Sequence, residues 1–143
     1  MGGDCWGDLD ETEALDILRA AVESGVNFLD TADVYGGGRS EQLIGKFLKE
    51  NPDELFVATK LGRRDHMFPD NFTPENLRGC TEDSLKHLGV ESLDLTQLHC
   101  LPTEVLRQGE VFDEMRKLQE AGLIRHWGVS VESMEEALIC LEQ

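Results

Sequence analysis

The chain has 143 residues, of which 40% are hydrophobic and 29% are charged, a composition typical of one soluble globular domain. Its formal net charge of −16 argues against nucleic acid and anionic membranes as partners. No apolar run reaches the ~18 residues of a membrane span, and the N-terminus lacks the pattern of a signal peptide, so we expect a cytoplasmic location.

Helical and strand periodicities alternate along the whole chain. The predicted elements, in chain order, are a helix over 12–24, a strand over 26–30, a helix over 40–50, a strand over 55–60, a helix over 73–89, a strand over 93–99, a helix around 111–118, a strand over 124–130 and a helix over 133–143. One βα unit takes roughly 30 residues, which implies parallel strands covered by helices. Two architectures remain open: a doubly wound open sheet and part of a (β/α)8 barrel.

Capping residues support the limits of two of these helices. Thr73 is placed as an N-cap with Pro74 at the first helical position. Ser133 and Glu136 have the spacing of a capping box. These signals fix where the third and last helices begin.

Each predicted strand ends in a polar residue. In chain order the four are Asp30, Lys60, His99 and Ser130, and Tyr35, the only tyrosine, follows the first strand. The carboxyl ends of parallel strands meet at one edge of a sheet, where the active sites of α/β proteins form. We therefore expect these side chains to converge.

The residue types at this edge suit proton donation to a carbonyl oxygen. A phenol with an ordinary pKa of about 10 donates a proton poorly near neutral pH unless its phenolate is stabilised. A nearby ammonium group stabilises it, a carboxylate holds the ammonium group in place, and an imidazole binds the substrate oxygen. Tyr35, Lys60, Asp30 and His99 would supply these four groups. Because no side chain delivers hydride, a nicotinamide cofactor is implied.

The same residues also have structural interpretations. Asp30 and Asp33 fit turn or helix caps, Lys60 fits a strand end that reaches solvent, and a lone histidine such as His99 is common in a core. For any one of these residues taken singly, the structural interpretation is the more common one.

The remaining motifs do not indicate a second site. Residues 36–38, in "GGGRSE", are interpreted as turn residues that let the Tyr35 loop bend, because no GK[ST] follows as in a phosphate loop. The four histidines show no HxxxH or HExxH pattern. We expect free thiols and no metal, since no CxxC pair occurs among Cys5, Cys80, Cys100 and Cys140.

The sequence resembles the aldo-keto reductases. "GVNFLDTADVYGGGRSEQLIGKFL" is similar to the family signature, "ATKLG" to its lysine strand, "LDLTQLHC" to its histidine strand and "GLIRHWGVSVES" to its fifth-strand region. The order and approximate spacing agree over nearly the whole chain. The gap of five residues between Asp30 and Tyr35 is the most specific element.

The resemblance implies a (β/α)8 barrel that reduces aldehydes or ketones with NADPH. It implies a catalytic tetrad in which Tyr35 is the general acid, Lys60 and Asp30 are its tuning pair, and His99 orients the substrate.

The resemblance also implies binding residues. Asp30, Thr31 and Ser130 would contact the cofactor, although Val131 stands where many members have an asparagine. Trp6, Tyr35 and His99 would contact the substrate.

The resemblance covers only part of a barrel. Residues 1–143 are expected to form one incomplete barrel domain, whose strands match the second to fifth of the family. The segments that hold the adenosine phosphate in the family follow its seventh and eighth strands, so we expect this chain alone to bind NADPH weakly and to be inactive. Two copies would supply eight strands, and the oligomeric state stays open.

Two functional classes remain in competition. The first is a carbonyl reductase, and the second is a non-enzymatic relative with a regulatory or scaffold role. A doubly wound nucleotide-binding domain is disfavoured because no GxGxxG follows the first strand. The residues do not identify the substrate, and the preference for NADPH over NADH is inferred from the family.

Overall fold

In the computed structural model, which describes residues 10–51 and 55–143, parallel strands form one sheet covered by helices. The strands are β1 (Phe28–Asp30), β2 (Phe56–Leu61), β3 (Leu93–His99) and β4 (Ile124–Ser130). The α-helices are α1 (Glu11–Glu23), α2 (Arg39–Glu50), α3 (Pro74–Leu88), α4 (Thr103–Gln108), α5 (Glu110–Glu120) and α6 (Met134–Leu141), and a short 3-10 helix covers Tyr35–Gly38.

The order of the strands in the sheet is β1-β2-β3-β4, and every pair is parallel. Each strand therefore lies beside the next one along the chain, with helical crossovers between them. A doubly wound sheet reverses its strand order at a switch point, and these four strands contain no such reversal. The topology therefore favours the barrel among the two predicted architectures.

The sheet presents one face to the helices and carries the polar rim residues on the other. Leu29, Val57 and Leu98 are buried in a core that includes Phe47 of α2 and Phe112 of α5. Side chains alternate between the faces of a strand. The immediate neighbours of these core positions in sequence therefore point to the opposite face.

The predicted helix limits agree with the structure where capping residues mark them. The Thr73 side chain accepts a hydrogen bond from the backbone N–H of Asn76, and Pro74 is the first residue of α3. Ser133 and Glu136 form the complete capping box of α6.

The structure differs from the prediction at one strand and one helix. The strand predicted over residues 26–30 begins only at Phe28, because the backbone N–H of Val26 is used to close α1, donating to the carbonyl oxygen of Ala21 at 3.1 Å. Helix α4 is not predicted by the sequence pattern. It has six residues, of which Leu106 is buried, too few to show a helical period.

Helices α2 and α3 approach each other closely at Gly45. A Cβ atom at this position would lie 2.2 Å from the carbonyl oxygen of His87 and 2.8 Å from the Cα atom of Leu88. Both neighbours are backbone atoms, so the distance between the two helices depends on the absence of a side chain here.

Among the described residues, no helix is both long and apolar enough to cross a membrane. The cysteines in this part of the chain, Cys80, Cys100 and Cys140, are free thiols.

Candidate active site

The predicted rim residues lie at the carboxyl edge of the sheet. Asp30, His99 and Ser130 are the last residues of β1, β3 and β4, and Lys60 is the residue before the end of β2. His99 and Ser130 are directly opposite each other in the strand register. The structure thus places four predicted residues along one edge, in the order of the strands.

Lys60 is the buried centre of this group. Its side-chain Nζ donates to Oδ2 of Asp30 at 2.6 Å and to the backbone carbonyl oxygen of Thr31 at 2.8 Å. Lys60 is 8% exposed, whereas the Asp30 side chain is 54% exposed. The ammonium group is therefore held in a fixed position with its counter-charge open to solvent on one side.

Tyr35 stands above this ion pair, in the loop that joins β1 to α2. The Nζ atom of Lys60 lies 5.3 Å from the centroid of the Tyr35 ring. The rings of Tyr35 and His99 meet edge to face, with centroids 5.9 Å apart and an interplanar angle of 81°. Tyr35 is 37% exposed, so the phenol lies between the rim and solvent.

His99 lies in an environment that disfavours its charged form. Burial, followed by the positive charges of Lys60 and Arg63, lowers the pKa of His99 to about 4, although the Asp30 carboxylate opposes this shift. Its Nδ1 atom is buried without a hydrogen-bond partner among the described residues. The imidazole is therefore neutral at physiological pH, able to bind an oxygen but not to act as a cation.

Ser130 lies next to Cys100, the residue after His99. The Ser130 hydroxyl and the Cys100 thiol are 3.5 Å apart, and the backbone N–H of Cys100 donates to the Ser130 carbonyl oxygen at 3.0 Å. Cys100 adopts a φ of 49°, in the left-handed region that non-glycine residues seldom occupy. The long sulfur contact leaves the serine hydroxyl available for another partner.

Thr31, another predicted residue, stands apart from the open rim. The Thr31 side chain is fully buried, and its hydroxyl donates to the Ser40 hydroxyl at 2.8 Å. Only its carbonyl oxygen reaches the group, through Lys60. Trp6, predicted to contact substrate, lies outside the described residues.

Two charged residues to which the sequence assigns no place in the site are buried, one in the Tyr35 loop and one in α2. Asp33 is 3% exposed and Glu41 is fully buried. One signal for Glu41 is available, since it stands three residues before Ile44 and seven before Leu48 and thus shares the apolar side of α2. The position of Asp33 after a strand fits a cap, and nothing in its spacing indicates burial.

Comparison with known proteins agrees with this site and topology. A model of the aldo/keto reductase family matches residues 1–142. Aldo-keto reductase YhdN of Bacillus subtilis is 35% identical over 140 residues, which are 95% of this chain and 42% of that protein. The chain belongs to the aldo/keto reductase family.

Solved structures give the same result for the fold. The glycerol dehydrogenase of Gluconobacter oxydans superposes with a TM-score of 0.80 at 38% identity, over 96% of this chain and 44% of that one. An aldo/keto reductase of Klebsiella pneumoniae, solved with NADP and acetate, gives a TM-score of 0.76 at 27% identity, over 90% of this chain and 43% of that one. The sheet is therefore part of a (β/α)8 barrel, and the predicted family and fold class are confirmed.

The chain is much shorter than these relatives. It spans between 36% and 45% of the length of the curated relatives that it matches.

Proposed function

We propose that this chain carries the catalytic group of an NADPH-dependent carbonyl reductase, which reduces an aldehyde or a ketone to an alcohol. One observation carries the proposal: the buried Lys60 is paired with Asp30 at 2.6 Å and lies 5.3 Å from the ring of the only tyrosine. A strand-end lysine with a purely structural role has no need of a phenol above it.

Each residue has a defined part in the proposed proton transfer. The Tyr35 hydroxyl donates its proton to the carbonyl oxygen of the substrate, and the Lys60 ammonium group stabilises the phenolate that remains. Asp30 keeps the ammonium group charged and in place. His99, neutral because burial lowers its pKa to about 4, orients the carbonyl oxygen toward the phenol.

The residues at the rim fit the nicotinamide end of a cofactor in part. Among the described residues, the Ser130 hydroxyl has only the 3.5 Å contact with Cys100, which leaves it available to a carboxamide. The Asp30 side chain, at the end of the first strand of the rim, is more than half exposed. Thr31 would support this surface through its carbonyl bond to Lys60, because its own hydroxyl is engaged with Ser40. When bound, NADPH supplies the hydride that reduces the carbonyl carbon.

We propose further that residues 1–143 form one incomplete barrel domain that binds NADPH weakly by itself. The match covers only 36% to 45% of the length of the curated relatives, and a barrel of this kind takes typically ~250 residues. Titration of the isolated chain with NADPH, followed by nicotinamide fluorescence, measures this directly.

The proposed activity is tested by grafting. The 143-residue chain replaces the matching segment of the Bacillus subtilis relative, and NADPH oxidation is measured against a panel of aldehydes and ketones. We expect turnover by the graft and a loss of roughly 100-fold or more on Tyr35→Phe, which removes only the hydroxyl group.

Two variants make the result decisive. Arg78→Gln removes an exposed ion pair with Glu82 on α3 and should leave the rate unchanged. Equal rates for the graft and its Tyr35→Phe variant would show that Tyr35 is not the acid. A folded graft that binds NADPH but reduces no carbonyl compound would favour the regulatory or scaffold role.

A further inference from the structure

Among the described residues, the backbone of the loop that carries Tyr35 is hydrogen-bonded to the sheet only at its beginning. The backbone N–H groups of Thr31 and Asp33 donate to the carbonyl oxygens of Ala58 and Lys60 on β2, at 2.8 and 2.9 Å. After Tyr35, the glycines at 36–38 all have positive φ, a conformation that glycine adopts readily because it has no side chain. The backbone N–H of Tyr35 donates to the carbonyl oxygen of Ala32 at 3.1 Å, within the loop itself. Backbone hydrogen bonds alone therefore do not fix the tyrosine against the rest of the fold.

A chain of ion pairs connects this loop to helix α3. Asp33, two residues before Tyr35, accepts at Oδ2 from Nε of Arg64 at 2.8 Å. The same guanidinium group donates through NH1 to Oδ2 of Asp83 on α3 at 2.6 Å. Arg64 thus bridges the loop and a helix that is itself packed into the core.

A second connection reaches the end of the loop. The buried Glu41 accepts at Oε1 from the Thr59 hydroxyl at 2.6 Å, and its Oε2 lies 3.0 Å from Nδ1 of His87. The His87 ring is so close to the loop that a Cβ atom on Gly38 would lie 2.9 Å from its Cε1 atom. Thr59 is the neighbour of Lys60 on β2, so this link ties the loop to the strand of the lysine.

Both connections start from one face of α3. Asp83 and His87 are four residues apart and therefore lie above one another on the helix. An open cleft of about 670 Å³ adjoins both the loop and this face, and its lining includes Asp33, Gly37 and Arg64. The loop has space to move into this cleft if the connections are broken.

The arrangement does not maximise stability. The Oδ1 atom of Asp33 is buried without a hydrogen-bond partner among the described residues, and burial raises the pKa of Asp33 to about 6 in spite of the Arg64 charge. Replacing buried ion pairs by apolar groups is often neutral or stabilising. A role in geometry therefore explains these charges better than a role in stability.

We propose that Arg64 and Glu41 are positioning residues, which anchor the Tyr35 loop to α3 and so hold the phenol beside Lys60 and His99. The catalytic meaning of this inference rests on the proposed function, since it concerns the same tyrosine. Neither residue touches the reacting groups. They act through Asp33 and His87 on the loop backbone.

The geometry is tested by NMR on the full 143-residue chain without cofactor or substrate. Because Tyr35 is the only tyrosine, labelling tyrosine rings with 13C gives the signals of one residue. The nuclear Overhauser contact between the Tyr35 and His99 rings is measured near neutral pH in wild type, Arg64→Gln and Glu41→Gln. We expect each variant to lose most of this contact while its circular dichroism spectrum stays native. Arg64→Lys, which keeps the charge, should recover part of it.

The controls distinguish a change in the position of the Tyr35 ring from a loss of stability and from a loss of activity. Arg78→Gln, at the exposed pair on α3, should keep the contact at full intensity. If Arg64→Gln does not fold, Asp33→Asn breaks the same ion pair with an isosteric side chain and is judged by the same criterion. Full retention of the ring contact in a folded variant overturns the positioning role of that residue, even if its stability falls. An inactive graft would disprove the reductase without changing this result.

Discussion

Asp33 is buried and His99 is half-buried, and burial moves the pKa values of these two side chains in opposite directions. The pKa of His99 falls to about 4, so its neutral form stabilises the fold above its ordinary value of 6.5, and this stability is lost as the pH falls toward 4. The pKa of Asp33 rises to about 6 from 3.8, so its contribution is complete below 3.8 and is lost as the pH rises through 6. Between these limits the two residues give opposite slopes of stability against pH.

Removing the Asp33 charge should therefore change the pH dependence of unfolding. We predict that the free energy of unfolding of Asp33→Asn, minus that of wild type, rises by about 2–3 kcal/mol between about pH 4 and about pH 7, since each pKa unit corresponds to about 1.4 kcal/mol. Urea denaturation at several pH values measures this difference. A flat difference for Asp33→Asn would mean that the buried carboxylate titrates normally.

At the residue scale, the sequence predicts the polar residues of the rim but not the buried charged residues that anchor the Tyr35 loop. Asp30, Lys60 and His99 are identifiable because residue type and position at a strand end coincide, and the structure brings them together with Tyr35. The role of Glu41 is not, because its place on the apolar side of α2 is the one signal for its burial, and nothing in the sequence names its partners. Its partner Thr59 lies 18 positions away, a pairing that no local pattern reports.

At the scale of the helices, the contact between α2 and α3 leads to a sharp prediction. Gly45→Ala places a methyl group 2.2 Å from the carbonyl oxygen of His87, so the helices must separate. We expect a loss of about 1–3 kcal/mol, as for other overpacked interiors. Because His87 belongs to the second connection, the ring contact between Tyr35 and His99 should weaken as well.

Gly79 provides the matched control within α3. A Cβ atom at Gly79 would have no atom within 4 Å among the described residues beyond its own stretch of helix. Gly79→Ala should stabilise the protein by about 0.5–1 kcal/mol, because alanine favours the helix over glycine. Thermal unfolding of both variants tests the pair. Similar effects of both substitutions would show that helix propensity, and not the close approach, determines the outcome.

How well the helices and strands are predicted depends on the capping residues at their ends and on their lengths. The starts of helices α3 and α6 are predicted correctly, because Thr73 with Pro74 and Ser133 with Glu136 have capping chemistry that acts within one turn. Helix α4 escapes prediction because six residues after Pro102 show no period. Strand β1 is shorter than predicted, since the closure of α1 depends on backbone hydrogen bonds that side-chain patterns do not report.

For the whole molecule, the excess of acidic residues should dominate the response to salt. The chain carries 29 acidic and 13 basic residues, and many of the basic ones already form exposed pairs worth about 0–1 kcal/mol each. The remaining negative charges repel over distances that salt screens effectively. We predict that raising NaCl from about 10 mM to about 300 mM increases the melting temperature by roughly 3–6 °C.

Calorimetry at the two salt concentrations measures this shift. A variant with several exposed glutamates of α5 and α6 changed to glutamine should show a smaller increase. A melting temperature that falls with salt would mean that the local ion pairs outweigh the net repulsion.

The sequence limits the architecture to two candidates, but the periodicity of apolar residues does not decide between them. Units of about 30 residues fit both a doubly wound sheet and a barrel. The choice between the two architectures depends on which strands are neighbours. The spacing of apolar residues does not report which strands are hydrogen-bonded to each other. The observed strand order β1-β2-β3-β4 and the resemblance to a family each supply this missing information and favour the barrel.

The match between strand order and chain order also bears on how the protein is made. Of these four strands β1 is synthesised first, and each later strand lies at the edge beside the one before it. The Asp30–Lys60 pair needs only the first two strands, and His99 joins when the third is added. The rim residues of the candidate site are therefore synthesised in the same order in which they lie along the sheet edge.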